Sequence, residues 1–317
     1  MTPDRILITG STGFVGGYLR TALAAQWPGA ALIAGDADVT DAGAVHRMIE
    51  AARPDAVVHL AGIASVPAAR LAPDRAFAVN LGGSLAVARA IIDTAPTCLM
   101  VHVGSAECYG DSFRSGVALD ETAALAPLNT YAATKAAADL ALGAMAAESG
   151  LRLIRFRPFN HTGPGQSDAF VIPAFAAQIA AIIAGSQPPV IKVGNLDAAR
   201  DFLDVRDIVR AYTLAIAHGN DLPPGTIFNL ASGMPRRIGD ILHTMISVAD
   251  RPITVEIDPF RLRPVDIPSA FGDASAAARV LGWRPEIDLT NTLHDILTAS
   301  TRPASDTLAR TEHTRSP

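Results

Sequence analysis

The 317-residue sequence predicts an α/β fold, a doubly wound parallel sheet with a second, smaller C-terminal domain. Three observations carry this. Short, continuously apolar runs alternate with longer helical patterns through the first half of the chain, as buried parallel strands and their crossover helices do. The first run, Arg5–Thr9, leads into Gly10, Gly13 and Gly16 at three-residue intervals and then into a helix. From about Arg157 the rhythm breaks into long loops rich in Gly and Pro, Phe159–Gln166 and Asp258–Asp273.

The elements follow in order. After the glycine run, Phe14, Val15, Tyr18 and Leu19 open a helix. Strand, glycine turn and helix together make a Rossmann-type dinucleotide motif. Gly10 permits the tight turn, Gly13 lets backbone approach a pyrophosphate, and Gly16 lets helix and strand pack closely. The helix N-terminus offers free N–H groups to phosphate. The glycines also interrupt the apolar start, which excludes a secretory signal. A second strand, Ala30–Ala34, ends at Asp36, twenty residues past Gly16, where an acid contacts the adenosine ribose. A carboxylate there repels a 2′-phosphate and leans the chain towards NADH; a solvated turn and helix cap is the other use of Asp36–Asp41. A helix over Ala42–Ala52, a strand over Ala56–Leu60, a helix over Leu81–Ile92 and a strand over Cys98–Val103 follow. Tyr131–Glu148 is helical on its alanine and leucine content, and Leu151–Arg155 is the next strand. The domains predicted are residues 1–158, with 196–218 returning to them, and a substrate-binding domain over 159–300. The polar tail 301–317 is expected to be disordered.

Composition narrows the function. A net charge of −5 gives no electrostatic footprint for nucleic acid. Cys98 and Cys108 make neither a disulfide framework nor a metal spacing, which fits a cytoplasmic protein. The most lipid-like stretch, Ala169–Gly185, contains Pro173 and Gln178, so no membrane span is expected.

The chemistry centres on Tyr131 and Lys135. Four residues of helix put them on one face, about 6 Å apart along the axis. A tyrosine near pKa 10 exchanges protons poorly at neutral pH, and a nearby ammonium is expected to lower it. Ser105, at the end of a strand, can donate to a carbonyl oxygen that becomes an alkoxide. Tyr131 can then deliver the proton. Without the glycine turn, Tyr131 and Lys135 would be ordinary helix residues.

These residues reach a family. The chain resembles the extended short-chain dehydrogenase/reductases that act on nucleotide sugars, through T-G-S-T-G-F-V-G, D-V-T-D, H-L-A-G, N-L-G-G-S, G-S-A-E-C-Y-G, Y-A-A-T-K, R-P-F-N-H-T-G-P-G-Q and R-D-F-L-D-V-R-D. Thr134 replaces a usual Ser, and Gly62 a common Ala. The resemblance implies that NADH or NADPH is held by Gly10, Thr12, Gly13, Phe14, Val15, Gly16, Asp36, Asp38, Val39, Leu60, Ala61, Gly62, Asn80, Tyr131, Lys135 and Pro158. Within the family, R-P-F-N-H-T-G-P-G-Q, I-K-V-G-N-L-D-A-A-R-D-F-L-D-V-R-D and D-P-F-R-L-R-P-V-D-I-P look like the group that reduces GDP-4-keto-6-deoxy-mannose. That likeness implies a GDP-sugar substrate. Asn160 and Arg200 would lie on the diphosphate, Val171 and Lys192 near the base and its ribose, and Arg263 and Asp266 over the nucleotide. Ser105, Ala106 and Glu107 would face the sugar. Glu107 stands where related dehydratases carry a carboxylate, so a 4,6-dehydratase or a 4-epimerase remains the alternative, and a non-catalytic nucleotide sensor the remotest. The family also implies a homodimer, formed through the helices Leu81–Ile92 and Tyr131–Glu148.

Overall fold

A computed structural model describes residues 2–249, 251–262 and 267–301. β1 (Arg5–Thr9), β2 (Ala31–Gly35), β3 (Ala56–His59), β4 (Leu99–Val103) and β5 (Leu153–Pro158) join the strand Thr226–Leu230 in a parallel sheet. The order is β2-β1-β3-β4-β5-(Thr226–Leu230). The Rossmann-type fold therefore stands, with its order reversing between β1 and β3, where such sheets bind ligands.

Alternating side chains sort the strands into two faces. Ile6, Ile8, Val58, Val101 and Ile154 pack against Leu19 and Leu23 of Phe14–Gln26 and Ile208 and Tyr212 of Val205–Ala217. Leu7, Val57, Met100 and Leu153 pack against Val45 and Ile49 of Ala42–Ala52, Val87 and Ile91 of Gly83–Thr94, and Leu142 of Thr130–Ser149.

Strand β5 starts two residues later than expected and runs to Pro158, because Gly150 caps the preceding helix in the left-handed region. The helix expected from Leu81 begins at Pro73 and turns through a π segment, Ala78–Gly82, before continuing to Thr94. Pro73 suits a first helical position. The π segment turns Asn80 inward to bond the backbone N–H and C=O of Ile63. Pro73–Thr94 is long and apolar enough to cross a membrane by length and composition, but half of it is buried within the protein, where it packs on Ala42–Ala52. The lipid-like stretch marked in the sequence forms the 13-residue helix Val171–Ile183, short of the ~20 residues a span needs.

The chain divides into two compact units, Met1–His161 with Ala198–Arg236 and Val265–Ile287, and Thr162–Asp197 with Arg237–Pro264 and Asp288–Pro317. The sequence placed residues 219–236 and 265–287 in the second. Trp283 shows why the latter return: it is fully buried, and its indole N–H donates to the Asp207 carbonyl at 2.9 Å. The Asp207 carboxylate accepts from the backbone of Glu286 and Ile287, each at 3.0 Å. In the second unit, Val190–Val193 pairs in parallel with Thr254–Ile257, and Val171–Ile183 packs on Ile238–Ala249 and Leu289–Thr301. Thr301 ends that last helix, and the expected disordered tail beyond it lies outside the described residues.

One row of the sheet is polar although buried. Thr9, His59, His102 and Arg155 are paired in register across β1, β3, β4 and β5. The two imidazoles stack with centroids 6.0 Å apart. Burial pushes the His59 pKa down to about 3, helped by the charge of Lys135, and the same causes hold His102 well below the ordinary range. Both are therefore neutral in the folded protein. The unfolded chain takes up their protons near pH 6.5 and the folded one does not, so stability is full above 6.5 and is lost as pH falls from there towards 3. Neither ring nitrogen of His102 has a hydrogen-bond partner among the described residues. His102→Leu should thus flatten the acid limb of a pH series of urea midpoints, each such histidine adding up to about 1.4 kcal/mol per pH unit. An unchanged limb would show that His102 is not held neutral.

Candidate active site

The glycine turn is tight. Gly10 sits at φ 68°, and a Cβ there would lie 2.9 Å from the Ala61 nitrogen. A Cβ on Gly16 would lie 2.4 Å from the Gly10 carbonyl oxygen. The Gly13 N–H donates to that same oxygen at 3.1 Å, which tightens the turn. Gly13 caps Phe14–Gln26 with no side-chain hydrogen bond, and the first helical turn carries no acid. An uncapped, uncrowded helix N-terminus suits an anion. Thr12 is exposed beside it, and Phe14 and Val15 are half-buried, with Phe14 edge-on to Tyr18.

Asp36 is exposed just past β2. Asp38 accepts from the Thr40 N–H at 2.9 Å and its hydroxyl at 2.8 Å, bonds that hold its carboxyl below the usual range. Val39 is buried; a Cβ on Gly83 would meet its side chain at 2.7 Å. Leu60 and Ala61 are half-buried and Gly62 exposed at the end of β3. A Cβ on Gly62 would lie 3.0 Å from the Asn80 Oδ1 and 3.6 Å from the Lys135 Nζ. Pro158 is buried at the end of β5.

Tyr131 and Lys135 share one face of Thr130–Ser149, a helix capped by Asn129, whose Oδ1 accepts from the Ala132 N–H. Each is 9 % exposed, as is Ser105 at the end of β4. The Ser105 hydroxyl lowers the Tyr131 pKa, and its Oγ accepts from the Glu107 N–H at 3.2 Å. Ala106 is buried and Glu107 half-buried at the start of that turn. The Lys135 Nζ donates to the Val103 carbonyl at 2.9 Å.

Here the electrostatics correct the sequence argument, in which Lys135 lowers the Tyr131 pKa. Burial instead pushes the phenol up to about 12, opposed by the Ser105 hydroxyl and reinforced by the charge of Glu107. Burial also brings Lys135 down to about 8. Both groups resist charging in this dry pocket. Thr134 serves where Ser is usual, donating to the Tyr131 carbonyl at 2.7 Å and accepting from Asn80 at 2.9 Å.

Of the other candidates, Asn160 is exposed on a short strand and Arg200 is buried. The Arg200 Nη1 donates to the carbonyls of Ala199 and Ile267 at 2.8 and 2.7 Å. Asp201 is taken up by Ser232, Gly233 and Gly272, and Asp204 by Arg206. Val171 and Lys192 are exposed in the second unit, at the start of a helix and on a strand. Arg263 and Asp266 lie outside the described residues.

The sequence argument missed an ionic cluster beneath the helix Thr130–Ser149. Asp139, 1 % exposed, bonds Arg155 at 2.9 Å and Arg157 at 2.8 Å. Arg157 also donates to the Tyr109 hydroxyl at 3.0 Å, and that hydroxyl donates to Asn229 at 2.8 Å. Two arginines at alternate positions of an otherwise apolar strand were the available signal.

Residues 6–231 match the NAD dependent epimerase/dehydratase family. The chain belongs to that family. It is 33% identical to a GDP-6-deoxy-D-mannose reductase of Pseudomonas aeruginosa, over 93% of this chain and 96% of that protein. It is 27% identical to a GDP-6-deoxy-D-talose 4-dehydrogenase of Aggregatibacter actinomycetemcomitans, over 88% and 91%. Among solved structures it superimposes on RMD from Pseudomonas aeruginosa complexed with NADPH, with TM-score 0.86 and 32% identity over 94% and 99% of the two chains.

As a member of the epimerase/dehydratase family, the protein is an NAD(P)-dependent enzyme. The site fits that requirement: glycines at 10 and 16 let the turn fold tightly onto the strand and onto Ala61, which leaves the helix N-terminus free of a side-chain cap, and Asn80 and Lys135 lie together beside Gly62. When bound, the nicotinamide supplies or removes a hydride.

Proposed function

We propose that this chain reduces the 4-keto group of GDP-4-keto-6-deoxy-D-mannose with NADH or NADPH, giving GDP-D-rhamnose or its carbon-4 epimer GDP-6-deoxy-D-talose. What supports this is the 33% identity to a GDP-6-deoxy-D-mannose reductase over 93% of this chain, together with Tyr131 and Lys135 on one helix face. Tyr131 is buried, and burial pushes its pKa up to about 12, so it holds its proton at neutral pH. A ketone reductase starts from the acid form, because the proton must be given to the oxygen that becomes an alcohol. The two curated relatives, a GDP-6-deoxy-D-mannose reductase and a GDP-6-deoxy-D-talose 4-dehydrogenase, support a GDP-sugar and chemistry at carbon 4.

In this mechanism Ser105 donates a hydrogen bond to the carbonyl oxygen and Tyr131 delivers the proton. Lys135 holds the nicotinamide ribose with Asn80, and the glycine turn holds the pyrophosphate. Glu107 binds a sugar hydroxyl. Asn160 and Arg200, both in the first unit, bind the diphosphate. The test supplies GDP-mannose and the 4-keto sugar separately. Stoichiometric oxidation of NADH or NADPH with the keto sugar, and a deoxy sugar by NMR, is expected. Conversion of GDP-mannose without net cofactor consumption would mean a dehydratase and end the proposal.

Cofactor choice gives a further prediction. Asp36 is exposed past β2, close to where an adenosine ribose would lie. Asp36→Ala should raise kcat/KM with NADPH relative to NADH. An unchanged ratio would show that Asp36 does not face the ribose.

A further inference from the structure

The two backbone segments of the dinucleotide site meet at one buried hydroxyl. Thr9 is fully buried at the end of β1 and immediately precedes Gly10. Its Oγ1 accepts from the Ala61 N–H at 3.2 Å and lies 2.8 Å from the His59 Nδ1. The segments are also in steric contact, since a Cβ on Gly10 would meet the Ala61 nitrogen at 2.9 Å. A threonine hydroxyl has one hydrogen and two lone pairs. Ala61 takes one lone pair, and the bond to His59 fixes how the hydroxyl is turned. His59 is itself 2 % exposed, held between Thr9 and the stacked ring of His102. Its own chain continues through Leu60 and Ala61 to Gly62, which abuts Asn80 and Lys135. A loosened hydroxyl would therefore be felt at both ends of the cofactor site.

We propose that His59 is a positioning residue for the dinucleotide: through Thr9 it locks the Gly10 turn against the Ala61–Gly62 segment, and so sets cofactor affinity without touching the cofactor. This rests on the NAD(P) dependence of the family and not on the choice of sugar. The mechanism uses neither His59 nor Thr9, and the cost of leaving a buried hydroxyl badly paired gives the expected effect its size.

The experiment measures NADPH dissociation constants by fluorescence titration for the full chain. Thr9→Val keeps the shape and removes the hydroxyl; His59→Leu removes the imidazole; His59→Asn keeps a polar atom near the Nδ1 position. Thr9→Val and His59→Leu should each raise the constant by about tenfold. The double variant should be no weaker than the worse single one, because both remove the same bond. His59→Asn should recover most of the loss, and His59→Leu should keep its kcat at saturating NADPH. In the apoprotein, Thr9→Val should shift the His59 imidazole nitrogen resonances. Unchanged affinity in Thr9→Val, fully multiplicative losses in the double variant, or no recovery in His59→Asn would each overturn the proposal. If His59→Leu fails to fold, Thr9→Val and the nitrogen resonances still decide it. A wild-type protein that bound neither NADPH nor NADH would overturn the NAD(P) dependence instead, and one that bound only NADH would have the same variants titrated with NADH.

Discussion

Tyr131→Phe should lower turnover of the keto sugar by about a hundredfold or more, the usual loss on removing a general acid. The change deletes one oxygen from a side chain packed with Ala69 and Ala76, so the fold should tolerate it. The NADPH dissociation constant should stay within about twofold, because Lys135 is anchored independently through Val103. The two measurements separate the roles. A fall in kcat with unchanged cofactor affinity assigns the proton to Tyr131. Retention of more than about a tenth of the rate would mean that another group supplies it. The Ser105 hydroxyl is a group that lowers the Tyr131 pKa, so Tyr131→Phe/Ser105→Ala is the natural next comparison.

The parts of this protein visible in the sequence are those governed by local rules. Arg5–Thr9 and Ala42–Ala52 fall where apolar runs and periodicity put them, and the glycine turn reads directly because only certain backbones need glycine there. The start of the helix at Pro73 was not legible. A π segment shifts the phase of the pattern, so Pro73–Gly82 looks irregular when scanned at one period. The interplay of Tyr131 and Lys135 was legible as a pair but not in sign. Spacing gives proximity, while the balance of desolvation against attraction depends on neighbours far apart in the chain, such as Val103 and Ser105. Residues 265–287 return to the first unit through contacts of Asp207 with Trp283, Glu286 and Ile287. That partnership spans more than seventy positions, and no local pattern records it.

Asp139→Leu should be the most destabilising of the single changes considered, by about 3–5 kcal/mol, because it leaves one buried and one partly buried guanidinium group without their counter-charge. Oδ1 of Asp139 serves Arg155 at 2.9 Å and Arg157 at 2.8 Å, and Oδ2 serves the Arg157 Nε at 3.0 Å. Arg155 keeps the Gly225 carbonyl, and Arg157 keeps Tyr109 and the Glu121 carbonyl, but these are neutral acceptors. The exposed pair Arg114–Asp111 is the control: both side chains are about half exposed, and such pairs contribute about 0–1 kcal/mol. Trp27 and Trp283 both belong to the first unit, so tryptophan emission in urea follows the unit that contains Asp139. Asp139→Leu should move that midpoint far more than Asp111→Ala does. Asp139→Asn, which keeps an acceptor and loses the charge, should fall between them. The loss should also reach the site, since Arg157 holds Tyr109, and Tyr109 lies in the turn that begins at Ser105 and carries Glu107. Stability of Asp139→Leu within about 1 kcal/mol of the wild type would mean that the two arginines find other partners or water, and that the cluster is not what fixes this helix on β5.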